Sequence, residues 1–409
     1  MRLIVQKYGG TSVANAERLA AVAERIARKR QEGFRIAAVV SARGDMTDEL
    51  IRLAHEITDR PPRREMDMLL ATGEQISVAL LAMALDRMGV PAISLTGAQG
   101  GIRTDQIHTK ARIRAVETER LRRELEADKV AIVAGFQGIN EVEDITTLGR
   151  GGSDTTAVAL AAALGAEVCE IFTDVDGVYT ADPRIVPDAR LLSRISYAEM
   201  LEMASLGAAV LQPRAVEVAA QHGVRIEVRS SFSHNPGTVV EDEEESVEQD
   251  IVVVGVTHDQ NVARVIVLDV PDQPGVAYKL FSALAEEGIN VDVIAQTNKS
   301  VGVTDVIFSV SRDDRAAAVE IVEVVAQELG AAGVRADESV AKVSIVGAGM
   351  VSNPGVAARM FGALAREEIN IQVISTSEIK VSCLIEADQV ERAVRSIHEE
   401  FRLGEGAGG

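Results

Sequence analysis

The sequence predicts an α/β protein in which a largely parallel sheet is followed by a duplicated smaller module. Over the first 240 residues, apolar runs typical of buried strands alternate with segments of helical spacing. Several of these runs end in glycine-rich turns. Further on, the segment Pro274–Ile294 realigns with Pro354–Ile374, 80 residues later, and each copy reads strand, Pro-Gly turn, helix, strand.

Composition bounds the class of protein. A chain of 409 residues is too long for one core and predicts two or three domains. Its 42 basic and 62 acidic residues give a net charge of −20, which disfavours nucleic acid and anionic membranes as partners. With 3% aromatic residues and no Trp, the chain also offers no stacking platform for single strands.

Cysteine and histidine usage predicts no metal site and a reducing compartment. Cys169 and Cys383 match no metal or redox spacing, and the six histidines form no His-x-x-x-His pair. The N-terminus shows no signal-peptide core, and the longest apolar stretch, Ala157–Ala166, is far short of a membrane span. We therefore expect a cytoplasmic protein.

The first strand and turn organise the rest of the chain. Leu3–Gln6 reads as a buried strand that stops at Lys7 and then at Gly9 and Gly10, before a helix over Asn15–Arg30. Such a turn points free N–H groups and a helix dipole at one spot, so it is either an anion site or an ordinary tight turn. It is not a P-loop, because the lysine precedes the glycines, and no Gly-x-Gly-x-x-Gly is present.

The next elements continue the alternation. Ile36–Val40 is a second strand that ends in a small polar turn from Ser41, and Met68–Met88 is a long apolar helix. Glu74, beside a glycine at the start of that helix, is either a capping device or a ligand for a substrate ammonium. The sequence further predicts strands over Val90–Leu95 and Val130–Phe136, with a charged helix over Thr109–Ala127 between them.

A second glycine-rich turn, Thr147–Thr156, runs directly into an alanine-rich helix that ends at Leu164. Three glycines, Ser153 as a capping residue and Asp154 predict another anion cradle at a helix N-terminus. Arg150 either clamps a carboxylate with its two-pronged guanidinium or is a surface arginine in a flexible loop.

A third loop, Thr173–Arg184, follows the strand Val168–Phe172, and loops at the carboxyl ends of parallel strands are where α/β proteins bind ligands. Calcium is excluded, because the twelfth position counted from Asp174 is Ile185 rather than glutamate.

An acidic run, Glu241–Asp250, predicts a solvated linker at a domain boundary. It separates an N-terminal region, residues 1–240, from a C-terminal region, residues 251–409. The two repeats of that region are expected over about 264–335 and 343–405.

Together these residues resemble aspartokinase. The matching motifs, in the family's order, are Lys7-Tyr-Gly-Gly-Thr-Ser12, the Ser41 turn, Thr72-Gly-Glu74, Gly149-Arg-Gly-Gly-Ser-Asp154 and Phe172-Thr-Asp-Val-Asp-Gly-Val-Tyr179. The repeat resembles that family's paired regulatory ACT modules. The resemblance implies an amino-acid-kinase-like three-layer fold with ferredoxin-like α+β modules behind it. It is to the monofunctional type, because the chain ends soon after the second repeat.

The resemblance implies transfer of the γ-phosphoryl group of MgATP to the β-carboxylate of L-aspartate, giving 4-phospho-L-aspartate for lysine, threonine and methionine synthesis. MgATP is then a co-substrate, with no permanently bound cofactor and no metal ligand among the side chains. The implied catalytic residues are Lys7, Arg150 and Asp154. The implied ATP site comprises Lys7, Tyr8, Gly9, Gly10, Ser12, Ser41, Thr173, Asp174, Tyr179, Asp182 and Arg184. The implied aspartate site comprises Ser41, Thr47, Glu74, Arg150, Gly151, Gly152, Ser153 and Asp154.

Lysine, threonine or both are implied as effectors that act through the ACT modules. The implied effector residues are Asp272, Asn290, Gln296, Val356, Asn370, Ile371 and Ser377. The two asparagines either contact the effector or merely turn the chain from helix to strand. Pairing of the modules predicts a homo-oligomer, or an assembly with a shorter chain of the regulatory region.

Two positions depart from the family pattern. Ala209 stands where many members have a lysine that approaches the nucleotide phosphates, so either Arg184 or Arg214 compensates or ATP binds more weakly. Met46 stands where threonine is common. Two rival functions remain: another amino-acid kinase acting on glutamate or N-acetylglutamate, and a non-catalytic amino-acid sensor, although the presence of Lys7, Arg150 and Asp154 argues against a decayed kinase.

Overall fold

The computed structural model describes residues 2–208, 210–242, 252–300 and 302–405. It divides into two compact units. The first unit comprises Met1–Val178, Leu191–Ser205 and Ala209–Glu245; the second comprises Tyr179–Arg190, Leu206–Ala208 and Ser246–Gly409. Ala209 and nearly all of the predicted acidic linker lie outside the described residues.

The first unit is built on an eight-stranded sheet in the order β10-β12-β11-β9-β1-β2-β6-β3. All neighbouring pairs are parallel except β11 and β12, so the predicted largely parallel sheet is confirmed. A small second sheet has the order β5-β4-β7-β8. The strands are β1 (Leu3–Tyr8), β2 (Arg35–Val40), β3 (Ala92–Leu95), β4 (Ile102–Thr104), β5 (Ile113–Val116), β6 (Val130–Ala134), β7 (Gln137–Ile139), β8 (Ile145–Thr147), β9 (Val168–Thr173), β10 (Arg194–Ser196), β11 (Ile226–Ser230) and β12 (Thr238–Glu241).

Helices pack on this sheet through apolar faces, apart from the helix over Met46–Ile57, none of whose residues is buried. On the first helix, Leu19, Val22, Ala23 and Ile26 are buried, as their spacing predicts, and the Asn15 side chain caps its N-terminus. The helices of the unit are α1 (Ala16–Gln31), α2 (Met46–Ile57), α3 (Arg63–Arg87), α4 (Glu119–Glu126), α5 (Gly152–Leu164), α6 (Tyr197–Ser205) and α7 (Pro213–His222).

One expectation for this unit is wrong, and one of two alternatives is excluded. Residues 109–127 are not one helix, because β5 occupies Ile113–Val116 and only Glu119–Glu126 is helical. Helix α3 begins at Arg63, which places Glu74 in mid-helix, and a residue there cannot cap the helix start.

Helix α3 is long and apolar enough to cross a membrane by length and composition alone. In this fold its apolar face packs into the core of the first unit through Val78, Leu81 and Leu85. Two carboxylates, Asp67 and Glu74, are buried along the same helix. Buried acids are expensive in a lipid-facing helix, so these contacts favour a core helix.

The second unit contains two ferredoxin-like modules, each with a four-stranded antiparallel sheet. The first module has the strand order β15-β16-β14-β17 and the second has β13-β18-β20-β19. In the second module the outer strand β13 comes from before the first module in the chain, so the first module is inserted within the second. The elements are β13 (Gly255–Asp259), β14 (Val262–Pro271), α8 (Val276–Glu286), β15 (Ile294–Ser300), β16 (Val303–Ser311), α9 (Arg315–Leu329), β17 (Gly333–Asp337), β18 (Val340–Val346), α10 (Val356–Arg366), β19 (Val373–Thr376), β20 (Lys380–Glu386) and α11 (Val390–Glu400).

The two modules share an interface within this unit. Val262 and Val293 form one apolar cluster with Val340, Val373 and Leu384 of the other module. Beside it, the almost fully buried Lys342 of the second module forms an ion pair with Asp292 of the first. The repeat therefore predicted both the duplication and a contact between the copies, whereas the borrowed strand β13 lies outside the repeated sequence.

Candidate active site

The first two predicted turns lie side by side at the carboxyl edge of the large sheet. Strands β1 and β2 end in register, with Tyr8 opposite Val40. The Gly44 N–H donates to the Gly10 carbonyl at 3.0 Å. A Cβ atom on Gly10 would stand 2.7 Å from the Ala42 carbonyl oxygen, so only glycine permits this approach.

Lys7 and Asp154 meet at this edge. The Lys7 Nζ lies 2.6 Å from the Asp154 Oδ1, and the two side chains are only 12% and 10% exposed. Asp154 belongs to the first turn of α5, whose N-terminal amides are therefore close to the lysine. At this distance the ammonium and the carboxylate form a close, nearly buried ion pair.

The Arg150 loop is shaped by glycines. Gly149 and Gly151 have φ values of 77° and 69°, in the left-handed region that favours glycine. Gly151 is the residue that precedes α5, so the prediction that Ser153 caps this helix is wrong, because Ser153 already lies within its first turn. Arg150 itself is exposed, and no hydrogen bond or ion pair of its side chain is found among the described residues.

Glu74 lies against the Ser41 turn. Its side chain is buried, and Oε1 accepts a hydrogen bond from the Ala42 N–H at 3.0 Å. The other oxygen, Oε2, is buried and has no hydrogen-bond partner in the described chain. Burial raises the pKa of Glu74 to about 7, against a smaller lowering by its backbone hydrogen bonds. A cationic ligand would satisfy the free oxygen and stabilise the charge.

The structure changes the prediction for Tyr8. Its ring is fully buried and stacks on Phe172 at 4.9 Å, and its hydroxyl donates to Gln6. The Tyr8 side chain is therefore part of the core, and only its backbone faces the glycine turn.

Sequence reasoning missed Ser231, whose hydroxyl lies 2.5 Å from that of Ser12. The polar Ser230-Ser231 pair at the end of the alternating strand segment Ile226–Ser230 was the available signal.

The third loop is divided between the two units. Thr173 ends β9 and Asp174 follows it in the first unit, where Asp176 anchors the loop by accepting from Ser233 at 2.5 Å and from Asn235 at 2.8 Å. The other predicted nucleotide residues, Tyr179, Asp182 and Arg184, belong to the second unit.

In the second unit, the Arg184 guanidinium donates two hydrogen bonds to the Asp182 carboxylate and lowers the pKa of that carboxyl group. Arg214, the other residue considered in place of the missing lysine, lies in the first unit and donates to the carbonyls of Leu148 and Ala111. These bonds make Arg214 a support for the Arg150 loop, which disfavours it as a phosphate ligand.

The remaining predicted residues take ordinary positions. Thr47 lies partly buried in the first turn of α2. In the second unit, Asn290 and Asn370 occupy equivalent exposed loops after α8 and α10, and Val356 is buried. Asp272, Gln296 and Ser377 are exposed, and Ile371 is partly buried. Over the described ranges, no group of three or more His, Cys, Asp or Glu side chains is placed to hold a metal.

A parallel sheet whose glycine turns, buried lysine and helix N-terminus converge at one edge defines an amino-acid-kinase fold. Accordingly, residues 2–230 match the amino acid kinase family, and residues 264–327 and 343–401 each match the ACT domain. An aspartate kinase of Stutzerimonas stutzeri is 52% identical over 409 residues, covering 100% of this chain and 99% of its own length. An aspartokinase of Corynebacterium glutamicum is 50% identical, covering 99% of this chain and 97% of its own.

Solved structures of aspartokinases are similar to this chain over nearly its full length. Aspartokinase III of E. coli in complex with aspartate and ADP superposes with a TM-score of 0.83 at 26% identity, covering 98% of this chain and 99% of that one. The same enzyme with lysine and aspartate gives a TM-score of 0.74 at 26% identity, with the same coverage. The chain belongs to the aspartokinase family and is an ATP-dependent kinase.

Proposed function

We propose that this enzyme transfers the γ-phosphoryl group of MgATP to the β-carboxylate of L-aspartate. A carboxylate oxygen attacks the γ-phosphorus, the bond from phosphorus to the β,γ-bridging oxygen breaks, and ADP leaves. An aspartate carboxyl group is already ionised at neutral pH, so the attack needs no general base. The residues must supply positioning and charge neutralisation instead.

The observation that carries this proposal is the buried, unpartnered Oε2 of Glu74 beside the Ser41 turn. A buried acceptor without a partner costs free energy, and a substrate ammonium would satisfy it. This favours a free α-amino acid over N-acetylglutamate, whose nitrogen is an uncharged amide. In E. coli aspartokinase III, a relative, aspartate is bound in the solved complex.

The other roles follow from charge and position. Lys7, held by Asp154, neutralises charge that develops on the transferring phosphoryl group, while the Gly10 amide faces the nucleotide phosphates. The Gly9 N–H instead donates to the Phe172 carbonyl at 3.3 Å and holds the turn against β9. Arg150, exposed on its glycine loop, binds a substrate carboxylate with two parallel N–H bonds. Mg²⁺ enters with ATP, as is usual for phosphoryl transfer.

Regulation and assembly form the second part of the proposal. Lysine, threonine or both bind at the ACT modules and inhibit, and subunits associate through these modules. The support is the pair of ACT modules and the E. coli relative whose structure contains lysine. We further infer that the enzyme acts in the cytoplasm.

The test is an ATP-dependent hydroxamate assay with aspartate, glutamate and N-acetylglutamate in parallel, because hydroxylamine traps acyl phosphates. The proposal expects aspartyl hydroxamate in large excess over the other two products. Preference for N-acetylglutamate would overturn the role of Glu74. Preference for glutamate would overturn the assignment of aspartate as the substrate. Absence of all three products from a folded protein that binds aspartate would favour a sensor.

A further inference from the structure

Asp67 is a buried carboxylate outside every motif that indicated function. It lies on α3 with its side chain 0% exposed. It accepts hydrogen bonds from His108 Nδ1 at 2.7 Å, from the Thr109 N–H at 3.0 Å and from the Thr147 hydroxyl at 2.5 Å. A buried charge persists only where such donors surround it, so this carboxylate joins α3 to two separate chain segments.

One of those segments has a backbone that the carboxylate helps to hold. Thr109 is β-branched and has a φ of 69°, a left-handed conformation that is rare for such residues. Both oxygens of Asp67 lie within hydrogen-bonding distance of the Thr109 N–H. The Thr109 carbonyl oxygen in turn lies 3.1 Å from where a Cβ atom on Gly149 would stand. The Thr109 turn is thus a support directly beneath the Arg150 loop.

The other segment leads into that loop. Thr147 is the last residue of β8 and stands three residues before Arg150. Its carbonyl accepts the Ala111 N–H at 2.9 Å, and Arg214 donates to the carbonyls of both Leu148 and Ala111. The loop is therefore held from two sides, by Asp67 on α3 and by Arg214 on α7.

Asp67 and Glu74 are seven residues apart on α3, which is two helical turns, so they lie on one face of the helix. We propose that Asp67 is a positioning residue that fixes the Arg150 loop relative to Glu74, and thereby sets the affinity for the amino-acid substrate. This inference rests on the proposed function, in which Glu74 binds the substrate ammonium and Arg150 a carboxylate.

A purely structural role for Asp67 predicts a different result. Loss of a core hydrogen-bond network would lower thermal stability and impair both substrates together. Loss of positioning raises KM for aspartate while KM for ATP stays unchanged, because Asp154, which links this region to the Lys7 turn, is fixed within α5 rather than by Asp67. The ratio of the two KM changes therefore separates the alternatives.

The experiment compares Asp67→Asn with Asp86→Asn, a control at the exposed end of the same helix. We expect Asp67→Asn to raise KM for aspartate at least 10-fold and KM for ATP less than twofold, and Asp86→Asn to change neither. Adding Thr109→Gly to Asp67→Asn should lower KM for aspartate at least threefold relative to Asp67→Asn alone. Glycine adopts a positive φ without help from the carboxylate. Amide hydrogen exchange over residues 108–112 and 147–152 should accelerate in Asp67→Asn with no substrate present.

Equal increases in both KM values, or an unchanged KM for aspartate, would overturn the inference. If Asp67→Asn does not fold, Thr147→Val removes a single donor and decides: a KM for aspartate raised about threefold or more supports the positioning role, and an unchanged KM rejects it. Failure of the proposed function is a separate outcome, since the wild-type protein would then form no aspartyl hydroxamate. The exchange measurement tests the loop contact whichever substrate proves correct.

Discussion

Lys7 and Asp154 form an ion pair of 2.6 Å between the end of β1 and the first turn of α5, and both side chains are nearly buried. The pair brings together two glycine turns that are almost 150 residues apart in sequence. It gives a single positive charge a fixed place at the carboxyl edge of the sheet, where α/β proteins bind ligands. This fixed charge is the group that we propose neutralises the transferring phosphoryl group.

Replacement of Lys7 by alanine should lower kcat by roughly 10²- to 10³-fold, the effect of losing one preorganised donor that stabilises developing charge. Steady-state kinetics at saturating ATP and aspartate would measure it. Lys279→Ala, at an exposed position on α8, is the control and should retain normal kcat. Near-normal turnover in a folded Lys7→Ala enzyme would remove Lys7 from the mechanism.

The pH dependence of kcat/KM for aspartate should follow the ionisation of Glu74. Burial raises its pKa to about 7, so in the free enzyme the carboxylate gains its proton as pH falls through that value. Only the ionised form binds an ammonium, so kcat/KM for aspartate should fall about tenfold per pH unit well below pH 7. Saturation with aspartate should shift the midpoint of kcat to lower pH. A flat kcat/KM profile from pH 5.5 to 8 would contradict this role.

Arg150→Lys keeps the positive charge but loses the planar fork. We expect a loss of aspartate affinity of about 1.5 to 3 kcal/mol, the range for hydrogen bonds to charged groups, with ATP affinity little changed. Calorimetric titration with each ligand separately would measure both. If ATP binding weakens instead, Arg150 belongs to the nucleotide site.

How far the sequence predicts this fold depends on the kind of interaction involved. Strand and helix periodicity predicted the central elements, because β1, β2, β6 and β9 are largely buried and largely apolar. The same reasoning failed over residues 109–127, where the short strand β5 at the edge of a small sheet lacks such a run. Edge strands are specified by their neighbours rather than by their own pattern.

In the candidate site, too, features with a local sequence signal were predicted and contacts between distant segments were not. Glycine spacing predicted the turns, since close backbone approach and positive φ require that residue. Contacts between distant segments gave no local signal: Asp67 with Thr147, Tyr8 with Phe172, and Arg214 with two carbonyls were all unforeseen. The borrowed strand β13 was missed for a related reason, because it lies outside the repeated unit.

Regulation should be separable from catalysis. Asp272→Ala and Gln296→Ala, at exposed positions in the first ACT module, should relieve inhibition by lysine or threonine and leave uninhibited kcat nearly unchanged. The expected coupling is about 1 to 3 kcal/mol, which corresponds to a severalfold to 100-fold shift in the inhibitor concentration needed. Inhibition curves for each amino acid, alone and combined, would measure it. An enzyme indifferent to both at millimolar concentration would contradict the proposal, as would variants that lose activity together with inhibition.

The central claim is that Glu74 recognises the free ammonium of aspartate, and the most direct test compares L-aspartate with N-acetyl-L-aspartate in the wild-type enzyme and in Glu74→Gln. The two substrates share both carboxylates and differ at the nitrogen alone. The wild-type enzyme should prefer aspartate by about 10³-fold or more in kcat/KM, because a buried carboxylate rejects a neutral amide. In Glu74→Gln that preference should collapse to within about tenfold, mainly through lost activity on aspartate. A variant that keeps the full preference for aspartate would show that another group reads the ammonium and would contradict the account.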